Sequence, residues 1–325
     1  MKYKKDVSYD LQENPWIRYC RGAVIDTINH KVICIPPPKS DEITDINEII
    51  QKENDISTHY EVLIEGTMIN MFYHQEEWRM STRSSIGATN SWDGKMSFKD
   101  MVNDIIPPNF HDSLNKGHCY SFVIVHQRNR IVSPIIENGL FLVEQYQIKP
   151  HIESVKSEQI EGINEKTIIS KDYLSNYQGD LYFSIKGFIS KQGEIRTKWI
   201  NPNYKYVLGL KMKFNDKFLN YIELRQKSLL TEYLRFFPEE KHIINVYRDS
   251  FNNMKQKLYD DYVSMFIRKE ITINDIEYPL KPLVYELHSI YKKTKQKITF
   301  STVSDFVHKM PSKKVLFTVS RMKLL

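Results

Sequence analysis

Residues 61–73 alternate apolar and polar side chains, and residues 77–83 resume the alternation after three polar residues, 74–76. A period of two interrupted by a turn-like break predicts a hairpin whose two strands share one buried face. Glu65, Gly66 and Thr67 fall inside the first predicted strand. Glycine within a strand weakens it and marks a place where a ligand or another backbone comes close, so a site is sought there.

The flanking chain reads mostly as strands up to about residue 200. Residues 16–26 and 32–35 are β-rich runs around a polar turn, and Pro36, Pro37 and Pro38 end the second because proline donates no ladder hydrogen bond. Residues 41–58 set Ile43, Ile46, Ile49 and Ile50 on one helical face behind acidic residues, which predicts a helix. A short helix over 98–106 is stopped by Pro107 and Pro108. Residues 117–126 and 131–146 form a strand pair around a charged turn at 127–130, whereas 150–180 carries no clear pattern. Residues 181–190 and 195–200 complete the strands. Helical periodicity then takes over at 214–237, 245–269, 280–291 and 301–310. The expected architecture is α+β: an antiparallel-sheet domain over 1–205 and an all-helical domain over 206–325.

Charge follows the same division. Residues 201–325 carry 23 Lys/Arg against 13 Asp/Glu, which leaves 23 against 27 for residues 1–200 from totals of 46 and 40. The last third is therefore +10 and the remainder −4. That asymmetry favours a polyanionic partner, with Lys292, Lys293, Lys295 and Lys297 the densest cluster, although a lysine-rich solvated surface reads the same way. Cys20, Cys34 and Cys119 are odd in number and lack CxxC spacing, so neither a disulfide framework nor a zinc knuckle is supported. Reduced thiols, with no apolar run of signal-peptide or membrane-span length, lead to the expectation of a cytoplasmic or nuclear protein without a membrane role. HExxH, P-loop and Ser/His/Asp patterns are absent.

Several pieces occur in one order: Arg21-Gly22, Glu65-Gly66-Thr67, residues 81–84, Phe122 with residues 129–132, Gly187, then Arg196 and Lys198 with Tyr204. That order resembles the phage-type RNA ligases and other covalent nucleotidyltransferases, including relatives in large DNA viruses, over roughly residues 16–206. The resemblance implies an RNA-ligase-like nucleotidyltransferase domain, a nucleotide cleft, RNA as partner, and a virion or virus-factory setting as a further localisation. In that family a lysine attacks the α-phosphate of ATP, basic side chains neutralise the phosphates, and carboxylates hold a divalent metal.

The departures from the family fall on the reacting atoms. Leu63 stands where the resemblance places the nucleophilic lysine, and leucine forms no phosphoramidate. Val123 and Lys186 stand where carboxylates are implied, so no metal ligand is assigned. The phosphate-facing set implied by resemblance is Arg21, Lys39, Arg83, Arg196 and Lys198, with Glu65, Gly66, Thr67, Phe122 and Lys186 around the nucleotide. Arg196 and Lys198, at i and i+2 of a strand, share a face. Arg128 and Arg130 near His126, and Lys292, Lys293 and Lys295, are candidate nucleic-acid contacts, while Tyr73, Trp78, Trp92 and Trp199 are aromatic candidates more often found in cores.

Three readings follow. The first is a catalytically degenerate ligase-like protein that binds RNA and nucleotide. The second is an active RNA ligase with a relocated lysine, Lys186, using ATP and Mg²⁺. The third is a structural or virion subunit that docks a protein through its helices.

Overall fold

The computed structural model of the chain describes residues 1, 13–51, 58–92, 94, 96–148, 153–155, 160–177, 181–211 and 216–324. They divide into two compact units, Met1–Tyr206 and Val207–Leu325.

The first unit opens with a 3-10 turn, Pro15–Tyr19, and an antiparallel ribbon of β1 (Val24–Asp26) and β2 (Lys31–Cys34). The hairpin predicted over 16–35 is present, but its front half is helical, because proline at the first position presets a helical φ. The helix predicted over 41–58 is largely replaced. Residues 41–43 form β3 (Asp41–Ile43), and the helix is confined among the described residues to α1 (Asn47–Gln51). Asp45 accepts from the Asn47 N–H at 2.9 Å, which starts the helix there rather than at residue 41. Residues 52–57 of that prediction lie outside the described residues.

The stretch 61–73 is not one strand. It contributes β4 (His59–Val62) to one sheet and β5 (Thr67–His74) to another. The second half of the predicted hairpin is correct: β5 pairs with β6 (Glu77–Thr82) through a turn at Gln75 and Glu76, both left-handed at φ 53° and 64°. Then come α2 (Phe98–Asn103), β7 (His118–Val125), β8 (Gly139–Gln147), β9 (Glu153–Ser154), β10 (Ile168–Ile169), α3 (Lys171–Ser175), β11 (Gly187–Gln192), β12 (Ile195–Ile200) and α4 (Pro202–Leu210). Residues 131–138 and 181–186, predicted as β, are irregular. One sheet runs β6-β5-β7-β8-β9 and the other β10-β4-β11-β12-β3, antiparallel throughout apart from the β12–β3 pair.

Each sheet has its own core. Ile69, Met71, Tyr120, Phe122, Leu140 and Leu142 pack beneath α2 against Met101, Val102 and Phe110. Tyr60, Phe188 and Trp199 pack against Ile49 of α1 and Leu174 of α3. Strand alternation therefore sends Glu61, Ile189, Lys191, Arg196 and Lys198 to the opposite face of that second sheet.

The second unit is helical, as predicted. It contains α5 (Lys217–Gln226), α6 (Leu230–Phe236), α7 (Lys241–Tyr262), α8 (Lys281–Thr294), α9 (Phe300–Lys309) and α10 (Ser312–Arg321). The single helix predicted over 214–237 is two, separated at Ser228, whose φ of 59° is left-handed and breaks the helical path. The helix predicted over 245–269 changes to a π turn at Val263–Arg268. Tyr221, Phe251, Met254, Leu258, Leu283, Leu287, Val303, Val307, Val315 and Val319 form one core. Among the described residues, no helix is long and apolar enough to cross a membrane.

Candidate anion site at the sheet crossing

Residues 63–66 carry the chain from one sheet to the other, and the candidate site forms around them. The Leu63 N–H donates to the Gly187 carbonyl at 2.8 Å, continuing the β4–β11 ladder by one residue. By alternation Leu63, half-buried, shares the face of Glu61. Gly66 then passes so close to β7 that a Cβ on it would lie 2.3 Å from the Ile124 carbonyl oxygen and 2.6 Å from Val123 Cγ1. The close approach of another backbone, predicted from this glycine, is therefore real, but it occurs at a crossing between sheets. Gly187 is constrained too, with φ +147° and the Trp199 carbonyl oxygen 2.1 Å from where a Cβ would sit.

Glu65 ties the crossing down. Its carboxylate accepts from the Val132 N–H at 2.8 Å, the Ser133 N–H at 3.0 Å and the Ser133 hydroxyl at 3.1 Å. The Ser133 hydroxyl also lies 2.7 Å from the Ser184 carbonyl. Buried Tyr204 faces the same carboxylate; burial first, then Glu65, raises its phenol well above the usual range. Thr67 Oγ1 accepts from the Asn129 amide at 3.0 Å. Glu65 therefore acts as a brace between separate segments, a role that its place in the motif could not reveal.

Beside this brace stand cations. The Lys186 amine lies 3.4 Å from the Ile64 carbonyl oxygen. Burial depresses its pKa most; Glu65 opposes that shift, while Lys198 and Arg83 add to it by repulsion. Arg83 is exposed and points a guanidinium nitrogen at Met68 Sδ, 3.4 Å away. Lys198 pairs with Glu42 at 3.2 Å, and Glu42 also holds Lys205 at 2.8 Å. Lys198 and Arg83 thus both act on Lys186, the one of the three that also feels Glu65, while Lys198 is itself paired with Glu42.

Other predicted residues sit elsewhere. Arg196 is buried and paired with Glu144 of β8; burial pulls it down to about 10, and its Nε has no partner among the described residues. The expectation that it faces a phosphate alongside Lys198 is corrected, because Glu144 already neutralises it. Phe122 is fully buried between Phe110 and Tyr120, which removes it from any open cleft. Val123 is buried as well. Arg21 and Lys39 are exposed. Arg128 is exposed, while Arg130 folds back onto the Val132 carbonyl at 3.0 Å. His126 is buried: its Nδ1 accepts from the Arg128 N–H, which leaves Nε2–H to donate to Asp104 at 3.1 Å. Lys292, Lys293 and Lys295 are exposed on the second unit.

Sequence reasoning missed a buried charge network next to the crossing. Glu61 is held by Lys191 at 2.7 Å and Lys166 at 2.9 Å, and both Glu61 and Lys191 are buried. Burial pulls Lys191 down to about 8 against the attraction of Glu61, so it stays the charged partner at neutral pH. The alternation of Tyr60, Glu61 and Val62 was the available signal, since it put Glu61 opposite the apolar core face.

A divalent metal does not fit this donor set. Among the described residues no group of three or more His, Cys, Asp or Glu side chains is placed to hold one. At the crossing itself, Glu65 is engaged by backbone donors and the neighbouring side chains are cations.

No protein-family model and no curated protein matches the chain. Among solved structures it is similar to an archaeal ATP-dependent RNA ligase (11% identity, TM-score 0.43, covering 71% of this chain and 70% of that one). It is also similar to a protein provisionally described as an ATP-dependent DNA ligase from Aquifex aeolicus (11%, TM-score 0.38, 84% and 71%). A mutant RNA ligase from Naegleria gruberi is a further match (11%, TM-score 0.34, 60% and 70%). At 11% identity and TM-scores below 0.5, these likenesses assign the chain no activity.

Proposed function

We propose that this protein binds RNA through its phosphates on an RNA-ligase-like nucleotidyltransferase framework, and that it makes no covalent nucleotide intermediate. The observation that supports this reading is the Lys186 amine at the sheet crossing beside Leu63, 3.4 Å from the Ile64 carbonyl oxygen, with the positive charge of Arg83 acting on it and Lys198 nearby in its pair with Glu42. Cations that raise one another's energy are relieved by an anion placed among them. A hydrocarbon at Leu63 gives the same place no nucleophile, and an unassisted electrostatic site replaces none of the covalent chemistry. In this reading the nucleotide, if bound, is held and not transferred.

The test has two measurements. Incubation with α-labelled ATP and Mg²⁺ or Mn²⁺ leaves the protein unlabelled, while single-stranded RNA binds with an affinity that falls steeply with salt. Covalent labelling overturns the proposal, as does failure to bind RNA at low salt.

One observation favours the second reading, an active ligase with a relocated nucleophile. Burial and neighbouring cations depress the Lys186 amine, the usual way a lysine is made nucleophilic near neutral pH, and it stands beside residue 64. An adduct that forms in the wild type and vanishes in Lys186→Ala would establish it.

A further inference from the structure

The second unit carries an aromatic staircase on one basic helix stripe. The π turn Val263–Arg268 at the end of α7 brings Phe266 flat against His288 of α8, with ring centroids 3.7 Å apart and planes within 4°. Tyr291 continues the stack on His288 at 5.8 Å and 26°, and Tyr285 meets Phe266 edge-on at 6.2 Å. Tyr262 closes the inner side against both Phe266 and His288. Most core aromatics in this protein are fully covered. Here Tyr285 remains 50% exposed and Tyr291 39%.

Charge follows the same stripe. Lys281, Tyr285, His288 and Lys292 are spaced i, i+4, i+7 and i+11 on α8, which is one face of a helix. Tyr291 and Lys295 extend it from His288 by three and seven residues. Burial first, then the nearby charge of Lys292, lowers the His288 pKa, which favours the neutral ring. Glu286, the acidic residue on α8, is turned to Lys314 at 2.7 Å, while Asp275 acts on Lys281 at the start of the stripe. The π turn closes α7 at the left-handed Lys269, and it sets Phe266 against His288.

We propose that Tyr285 and Tyr291, backed by the Phe266–His288 stack, are a stacking platform for unpaired bases, with Lys281, Lys292 and Lys295 holding the adjoining phosphates. The ligand class is single-stranded nucleic acid. Aromatic faces accept any base, and lysines track the backbone without reading sequence. The platform rests on the nucleic-acid-binding reading above and gives it a second, separate site on the helical unit. A duplex, whose bases are already stacked and paired, touches the lysines alone.

The experiment measures binding of fluorescein-labelled 12-nucleotide oligouridylate and oligoadenylate to the full chain, across a salt series. Tyr285→Ala/Tyr291→Ala is expected to weaken binding at least tenfold with the salt slope unchanged. Tyr285→Phe/Tyr291→Phe keeps the rings and is expected to bind within twofold of wild type. Lys292→Glu/Lys295→Glu is expected to lower the salt slope. If wild type binds and the double alanine variant binds equally well, or if a duplex of the same length competes as strongly as the single strand, the platform is overturned while the broader reading stands. A wild type that binds none of these oligonucleotides removes both. Circular dichroism of each variant separates loss of binding from loss of fold, and all four substituted positions are exposed.

Discussion

Gly66 is the residue on which the first unit turns. A methyl group there would overlap the Ile124 carbonyl oxygen and the Val123 side chain, both part of β7 and unable to move without breaking the β5–β7 ladder. Gly66→Ala is therefore expected to destabilise by more than about 3 kcal/mol, or to prevent folding, measured by urea titration against wild type. Gly209 in α4 is the contrast: among the described residues nothing lies within 4 Å of where its Cβ would sit and its φ is not left-handed, so a methyl group there meets no neighbour. The cysteines make a second residue-scale prediction. Cys34 and Cys119 are fully buried and Cys20 is partly exposed. Burial also pushes the Cys20 thiol up, which slows even that one. Ellman's reagent should titrate a single thiol slowly in the native protein and all three after unfolding. Prompt native reaction of three thiols would contradict the packing of β2 against β7.

Strands β4, β11 and β12 carry a charged face on which Glu61, Lys191 and Arg196 are as buried as the apolar residues behind them. Lys191→Met takes the most buried partner from Glu61, leaving it Lys166 at 2.9 Å and the His59 ring at 3.6 Å, and breaking a buried pair in this way typically costs about 3–5 kcal/mol. Joining Lys191→Met with Glu61→Leu should recover most of that loss, which a double-mutant cycle reads directly. The pH dependence has a definite sign. Burial raises the Glu61 pKa, but Lys191 and Lys166 outweigh it, so the folded carboxyl titrates below its ordinary range. Its contribution to stability is present above the unfolded carboxylate pKa and is lost as pH falls through the folded one. Acid denaturation of the Glu61→Leu/Lys191→Met variant should therefore be shallower than that of wild type. These elements also mark what the sequence could and could not convey. Period-two alternation found β5, β6, β7 and β12, and the 3.6 period found the helical region, because each depends on neighbours along the chain. The switch between sheets at residues 63–66, the strand character of residues 41–43 and the pairing of Arg196 with Glu144 depend on partners 50 or more residues away. For the site, the cluster of Arg83, Lys186 and Lys198 was legible as residue types through resemblance, whereas the brace formed by Glu65 required the position of Ser133.

The distribution of charge over the whole chain sets how it should meet a polyanion. Residues 201–325 hold an excess of ten positive charges and residues 1–200 an excess of four negative ones. On the proposed reading, a nucleic acid approaching from bulk solvent should be drawn to the helical unit by long-range attraction and repelled on average by the first, whose cations would act only at short range around the crossing. Two kinds of variant should then separate in one experiment. Reversing Lys292, Lys293 and Lys295 to glutamate removes exposed positive charge, slows association and flattens the dependence of log K on log salt by about 0.7 for each phosphate of a single strand that is no longer neutralised. Lys186→Met removes charge from a half-buried position at the crossing, so dissociation should quicken while association changes little. Stopped-flow mixing with a labelled oligonucleotide at several salt concentrations resolves the two rates. If the lysine reversals leave the association rate unchanged, steering by the helical unit is excluded and the asymmetry of charge has no part in binding.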